Sequence, residues 1–357
     1  MNRLGAMAIG GLMIAAATTA QQPGAHRWAI VVHGGAGVIE RATMSAETEK
    51  AYRASMAQAT EAGTQVLDKG GSALDAVEAA ILILEDDPLF NSGRGADFAA
   101  DGKNELDAAI MDGSNMKAGA VGDVTRTRHP ISLARAVMEK SPHVFLVGQG
   151  ADAFSAYAGL EQADPSYFFT ERRWQALVKE LKKEGMPIPP RPAGAPPPPA
   201  DPVSEIETAP IEPADAHKYG TVGVVALDRA GNLAAGTSTG GTNAKRWGRV
   251  GDSPIIGAGT YASNQSCAVS ATGTGEYFIR LTVARTVCAL VEYKGMKLQD
   301  AVDQVIHKEL TGMHGDGGVI AIAPNGEMAW SFNTPGMYRA RLAEGGKLEI
   351  GIYHDEP

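Results

Sequence analysis

Tyr219-Gly220-Thr221-Val222-Gly223-Val224-Val225-Ala226-Leu227-Asp228 lies at the junction of two unlike stretches of a 357-residue chain. Upstream, residues 187–218 are rich in proline and include a run that can pack as neither helix nor sheet. Downstream, an apolar run of strand length starts at Thr221 and reaches a tight turn, Asp228-Arg229-Ala230-Gly231-Asn232, whose Gly-Asn pair tolerates positive φ. The chain returns as Leu233-Ala234-Ala235-Gly236-Thr237-Ser238-Thr239-Gly240-Gly241, which brings Thr239 back beside Thr221. A cut before Thr221 would give one residue both a hydroxyl nucleophile and a free α-amine to deprotonate it. A model α-amine has a pKa of about 7.7–8.0, so a useful fraction is unprotonated near neutral pH without burial. A Gly-Thr step alone reads as loop into strand. Its continuation gives it weight.

Three further motifs follow in order: Gly248-Arg249-Val250-Gly251-Asp252-Ser253-Pro254, then Gly257-Ala258-Gly259-Thr260-Tyr261, then Ser270-Ala271-Thr272-Gly273-Thr274-Gly275-Glu276. This succession resembles the isoaspartyl peptidase and plant-type L-asparaginase family, threonine hydrolases with an N-terminal nucleophile that mature by cutting themselves. The resemblance covers most of the chain outside its first residues and the proline-rich segment. It implies an α+β fold, the four-layer αββα sandwich of N-terminal nucleophile hydrolases. It also implies cleavage of the Gly220–Thr221 bond. That would leave an α subunit (21–220, with a flexible tail at about 187–218) and a β subunit (221–357) sharing one domain. Two such cleaved protomers would form a heterotetramer.

Amide hydrolysis needs a nucleophile, a base, an oxyanion stabiliser and substrate anchors. By resemblance Thr221 supplies the first two, and Thr239 is the threonine that hydrogen-bonds the nucleophile. Thr272 and Gly273 resemble the oxyanion hole, a hydroxyl and a backbone N–H. One such donor is worth roughly 3 kcal/mol of barrier. Arg249 and Asp252 resemble the anchors for an α-carboxylate and an α-ammonium, with the Gly275 carbonyl assisting; a planar guanidinium fork suits the former. A free amino-acid head held at both charges presents its β-carbonyl to Thr221. The implied substrates are therefore L-asparagine and β-aspartyl dipeptides. Asn91 is expected to help place the nucleophile's amine. The stretch 84–94 resembles the family's sodium loop, in which main-chain carbonyls of Leu84, Glu85, Asp87, Phe90, Ser92 and Arg94 would hold a structural ion. The chemistry itself needs no cofactor. Asp86-Asp87 could suggest calcium, but no spaced carboxylate loop is present.

Other readings of these residues remain. Thr272-Gly273-Thr274-Gly275-Glu276 could open a phosphate loop, but it lacks the Gly-Lys-Ser/Thr ending and the dinucleotide glycine spacing. An isolated Arg-x-x-Asp is ordinarily a surface ion pair worth little. His33 reads as structural, since this mechanism leaves a histidine nothing to do. Glycosylasparaginases are the nearest rival, yet they typically carry His-Asp before the threonine and Asn after Thr-Ser-Thr, where this chain has Tyr219-Gly220 and Gly240-Gly241. A non-catalytic, uncleaved amino-acid-binding protein is the alternative from another class.

Composition sets the outer bounds. The chain is 44% hydrophobic and 20% charged, as expected of a globular enzyme with a large core. Its net charge is −9, from 32 basic and 41 acidic residues, with no basic block, which argues against nucleic acid as a partner. Residues 1–20 read as a signal peptide: Arg3, a short apolar run, then Thr18-Thr19-Ala20. The run is too short to stay in a membrane. Export, to a periplasm in a Gram-negative cell, is the expectation. The two cysteines, Cys267 in a strand pattern and Cys288 in a helical one, read by default as buried free thiols, although an oxidising compartment permits a bridge.

Periodicity supplies the remaining elements. Residues 28–33 read as a strand running into a turn at Gly34-Gly35-Ala36-Gly37, and 46–67 and 72–84 as helices. A hairpin is expected at 106–124 and helices at 130–140, 275–292 and 298–310. Strands are expected at 143–147, 268–272, 318–322, 328–331 and 348–353.

Overall fold

Val222, Val224 and Ala226 pack into one apolar core, whereas Val225 and Leu227 pack into another. The strand they form, β5 (Val222–Leu227), is therefore buried on both faces, which explains its unbroken apolar run. The computed structural model describes residues 27–198 and 220–356. Before β5 come β1 (Ala29–Gly37), α1 (Ala46–Asp68), α2 (Ala73–Asp86), β2 (Leu106–Asp112), β3 (Ala118–Val124) and α3 (Pro130–Lys140). These are followed by β4 (Phe145–Val147), α4 (Gly148–Tyr157), α5 (Pro165–Phe168) and α6 (Glu171–Lys183). After β5 come β6 (Leu233–Thr239), β7 (Thr260–Ala262), β8 (Ala268–Gly273), α7 (Gly275–Leu281), α8 (Val283–Lys294) and α9 (Leu298–Asp303), which continues as a π-helical stretch, Gln304–Leu310. The strands β9 (Gly317–Ile322), β10 (Met328–Phe332), β11 (Gly336–Ala343) and β12 (Glu349–Tyr353) complete the order.

Eight strands form one sheet in the order β12-β11-β1-β5-β6-β2-β3-β4, and four form a second in the order β10-β9-β8-β7. The helices α1, α2 and α3 cover the outer face of the large sheet, the small sheet covers its inner face, and α8 and α9 cover the small sheet in turn. This is the αββα layering expected from the sequence. The β5–β6 hairpin lies between β1 and β2, so elements on both sides of Thr221 share one hydrogen-bonded sheet. Local sequence sets the helix starts: the Ser45 and Ser72 hydroxyls accept the Thr48 and Asp75 N–H groups at 3.1 Å each, and Pro130 opens α3.

Three sequence expectations are corrected. Cys267 and Cys288 are not free thiols: they form a disulfide, with Cα atoms 5.3 Å apart, that ties the start of β8 to α8. The glycines after His33 do not turn the chain; β1 continues to Gly37, paired with β11 across a register shift between His33 and Gly35. A bulge absorbs the extra residue, and the apolar-period reading stopped there. The helix expected over 275–292 breaks at Thr282, a non-glycine residue with φ +46°, into α7 and α8. Strand β11, with Arg339 and Arg341 among its residues, went unread because charges interrupt its pattern. Of the proline-rich segment, residues 187–198 are described. Arg191 pairs with Glu171 and lies over the Phe169 and Trp174 rings. Residues 199–218 and the signal segment 1–20 lie outside the described residues. Among the described residues no helix is long and apolar enough to cross a membrane.

The disulfide joins residues 21 apart in sequence. Closing a loop of that length removes unfolded-state entropy worth about 3 kcal/mol. Reduction, or Cys288→Ala, is expected to lower stability by about that amount and to reduce the denaturant midpoint in chemical unfolding. A midpoint unchanged by reductant would show that the bridge contributes nothing.

Candidate active site

Strand parity aims the central residues. In β5 and β6 the even–odd alternation sends Val225, Leu227, Leu233 and Ala235 toward the second sheet, so Thr221 and Thr239 share that inner face. The Thr221 hydroxyl donates to Thr239 Oγ1 at 3.0 Å, and Thr239 Oγ1 also accepts the Gly241 N–H at 3.0 Å. Thr221 is only 8% exposed. The Gly220 carbonyl, at the bond expected to be cut, accepts the Asn91 N–H at 3.2 Å. A Cβ on Gly220 would fall 2.6 Å from Asn91 Cβ, so glycine is needed for this approach.

Asn91 thus meets the scissile bond through its backbone. Its side chain is occupied elsewhere: Nδ2 donates to the Gly241 carbonyl at 2.7 Å, and Oδ1 accepts the Asp97 N–H at 2.7 Å. The structure brings Asn91 to the site but spends its amide on holding loops together.

Thr272 ends the inner row of β8, where its Oγ1 accepts the Ala36 N–H at 3.2 Å and leaves the hydroxyl proton available. Gly273 follows under tight constraint, since a Cβ there would overlap the Asp316 carbonyl and the Phe278 ring. Gly275 opens α7 beside both proposed anchors: a Cβ on it would lie 2.9 Å from Arg249 Nη2 and 2.9 Å from Asp252 Oδ1. A Cβ on Gly241 would likewise stand 3.5 Å from Arg249 Nη1. Contacts therefore run from Thr221 through Thr239 and Gly241 to Arg249, Gly275 and Asp252. Asp252 is buried, and burial pushes its carboxyl up to about 7 although Arg249 pulls it down.

Two residues here were not assigned from sequence. Glu276 accepts from Arg249 Nε at 2.9 Å and from Nη2 at 3.1 Å, and that bond holds Glu276 below the usual carboxylate range. Asp107 lies opposite Thr239 in the β2–β6 ladder, fully buried, with Oδ1 accepting the Asp123 N–H at 2.9 Å. An acid in the otherwise apolar run Leu106–Met111 was the legible signal. His33 is buried between the sheets, its Nε2 3.0 Å from Ser270 Oγ. Burial drives its pKa down to about 3, the Thr221 backbone opposing, so the ring is neutral at working pH.

The loop after α2 curls tightly, with Gly93 and Gly95 at φ +49° and +100°. A Cβ on Gly95 would lie 2.6 Å from the Pro88 carbonyl and 2.9 Å from that of Phe90. The side chains of this stretch are engaged: Glu85 binds Ser238 at 2.6 Å and the Ile131 N–H at 2.9 Å, and Asp87 binds Ser55 at 2.5 Å. Its main-chain oxygens are what remain for an ion, and Pro88 has no N–H to give the Leu84 carbonyl four residues earlier. The Glu85 carbonyl accepts the Arg94 N–H at 2.7 Å and the Asp87 carbonyl accepts the Phe90 N–H at 3.3 Å, each using one of two lone pairs. Among the described residues no group of three or more His, Cys, Asp or Glu side chains is placed to hold a metal.

A two-sheet sandwich with a threonine hydroxyl at the head of a central strand, between a glycine-rich loop and an Arg–Asp pair, is the architecture of an N-terminal-nucleophile amidohydrolase. The chain belongs to the asparaginase family, whose sequence profile (Asparaginase_2) matches residues 26–352. It is 46% identical over 326 residues to the isoaspartyl peptidase of Salmonella typhimurium, covering 91% of this chain and 98% of that protein. Against the Escherichia coli isoaspartyl peptidase it is 46% identical over 327 residues (92% and 96% covered). Against the human isoaspartyl peptidase/L-asparaginase the figure is 39% over 329 residues (92% and 96%).

Proposed function

We propose that this chain cuts itself between Gly220 and Thr221, and that the new terminus hydrolyses L-asparagine and β-aspartyl dipeptides. The observation that carries the reading is the placement of Thr221: its hydroxyl is on Thr239 and the preceding carbonyl on the Asn91 N–H. The names of the similar proteins supply the substrate class. In the first event Thr221 Oγ attacks the Gly220 carbonyl, the C–N bond breaks so that the amide becomes an ester and the α-amine is freed, and water then opens the ester to a Gly220 carboxylate and the Thr221 hydroxyl. In turnover the α-amine takes the hydroxyl proton as Oγ attacks the β-carbonyl. The developing oxyanion is met by the Thr272 hydroxyl and the Gly273 N–H. Collapse expels ammonia or an amino acid, which receives the proton, and water then releases aspartate from the Thr221 ester.

Arg249 and Asp252 hold the α-carboxylate and α-ammonium in this scheme. Anchoring an ammonium needs the Asp252 carboxylate, so for an ammonium-bearing substrate kcat/KM should rise as pH passes about 7. Asp252→Asn should raise KM and leave only the α-amine's own ionisation in the profile. An unaltered profile in that variant would remove Asp252 from the anchor role.

A sodium ion held by carbonyls of Leu84, Glu85, Asp87, Phe90, Ser92 and Arg94 would stiffen the loop that presents Asn91. It would do so as a structural ion, with no part in the reaction. The α and β subunits, 21–220 and 221–357, would pair with a second cleaved protomer. Export is supported by the Cys267–Cys288 bridge, which an oxidising compartment permits. N-terminal sequencing of purified, active protein tests the reading. It should find a chain beginning at Thr221 alongside release of aspartate from both substrate types. A single uncut band with no hydrolysis of either would instead identify an amino-acid binder.

A further inference from the structure

Directly beneath the site, the largely apolar layer between the two sheets holds a polar patch. There His33 of β1, Thr237 of β6, Thr260 of β7 and Ser270 of β8 meet, each fully buried. His33 Nε2 is 3.0 Å from Ser270 Oγ, Ser270 Oγ is 2.7 Å from Thr237 Oγ1, and Thr260 donates to Thr237 Oγ1 at 2.6 Å. Thr237 also reaches the Gly259 carbonyl at 3.2 Å, and Thr260 the Ser253 carbonyl at 3.0 Å. Strand β5 makes room for the patch: a Cβ on Gly223 would overlap both Ser270 Oγ and His33 Nε2.

Each member lies on an element that carries a group of the site above. Thr237 is two residues before Thr239, and Ser270 is two before Thr272. Gly223, opposite His33 in the β1–β5 ladder, is two after Thr221. The Ser253 carbonyl adjoins Asp252. Two residues along a strand is about 7 Å, so the patch is one pleat repeat below the reacting groups on the same face. Hydroxyls and an imidazole cost desolvation in such a layer unless their bonds set something that apolar packing would not.

We propose that the His33–Ser270–Thr237–Thr260 chain is a positioning network that fixes the strands of Thr221, Thr239 and Thr272 and the Asp252 loop in mutual register, and that it acts on the chemical step. The members touch no substrate. They work through the residues two positions above them, and a misplacement of about 1 Å at a reacting group can cost on the order of 100-fold in rate. The neutral His33 suits this task, since its hydrogen bonds persist across the working pH range.

Thr237 allows a matched test, because Thr237→Val keeps its shape and removes the hydroxyl, whereas Thr237→Ser keeps the hydroxyl. With purified protein and a β-aspartyl dipeptide, Thr237→Val should lose about 10- to 100-fold in kcat with KM within about 2-fold. Thr237→Ser should remain within about 3-fold of the wild type in both. Equal kcat for the valine variant and the wild type would overturn the inference. So would equal losses in the valine and serine variants, or a loss confined to KM. Should the valine variant fail to fold by circular dichroism, Ser270→Ala is measured to the same criteria. The inference rests on Thr221 as nucleophile, and the two fail separately. Turnover by Thr221→Ala removes the nucleophile assignment, whereas an inert Thr221→Ala beside a fully active Thr237→Val removes the network alone.

Discussion

Thr221→Ala is expected to remain one polypeptide on a denaturing gel and to release no aspartate, a loss on the order of 10⁶-fold in kcat, as for removal of a catalytic serine. The variant keeps the Cβ and the backbone bonds of β5. What goes is the hydroxyl that donates to Thr239, and Thr239 Oγ1 still accepts the Gly241 N–H. One lost neutral hydrogen bond costs about 1 kcal/mol, so the protein should fold and unfold near the wild-type midpoint. That separation of stability from activity is what marks a nucleophile. Thr221→Ser, which retains the attacking oxygen, should still cut itself, more slowly because the methyl that restricts χ1 is gone. Wild-type turnover by the alanine variant would end the assignment, and cleavage of that variant at Gly220 would show that another group performs the first attack.

The parts of this molecule that were legible in its sequence were those written as local pattern. The β5–β6 hairpin could be read because its turn chemistry and apolar runs agree, and the returning strand then brings Thr239 beside Thr221. The two helices before it were equally plain, the first from its apolar spacing and the second from Ser72 at its start. What escaped was set by contacts distant in sequence. No local signal says that Glu276 grips Arg249 from 27 residues away. Nor does one say that Cys267 and Cys288 come within bonding distance once α8 lies on β8. The bulge in β1 and the break at Thr282 fell between periodic runs, where a single register shift or one left-handed residue changes the element and leaves composition untouched. His33 was read as structural from the chemistry it lacks. Its place under Thr221 depends on three other strands.

Arg249→Ala should cost about 100-fold or more in kcat/KM for L-asparagine, chiefly through KM, because a charge-assisted bidentate bond to the substrate's carboxylate is worth about 1.5–3 kcal/mol and the carboxylate would then be desolvated without a partner. The guanidinium is already half committed: Nε and Nη2 donate to Glu276, while a Cβ on Gly241 would stand 3.5 Å from Nη1. Glu276 therefore sets the plane of the fork, and the remaining edge faces the route from Gly241 to Gly275. Arg249→Lys keeps the charge but cannot bond Glu276 and a carboxylate in one plane, so it should recover only part of the loss. Glu276→Gln tests the orientation itself: the amide oxygen can still accept one bond, and KM should rise by less than in the alanine variant. Arg249 also pulls the Asp252 carboxyl down against its burial. Removing the arginine should therefore shift the acid limb of kcat/KM to higher pH, a change that a purely steric role for Arg249 would not produce. If KM in Arg249→Ala stays within 3-fold of the wild type and the limb does not move, the substrate's carboxylate is held elsewhere.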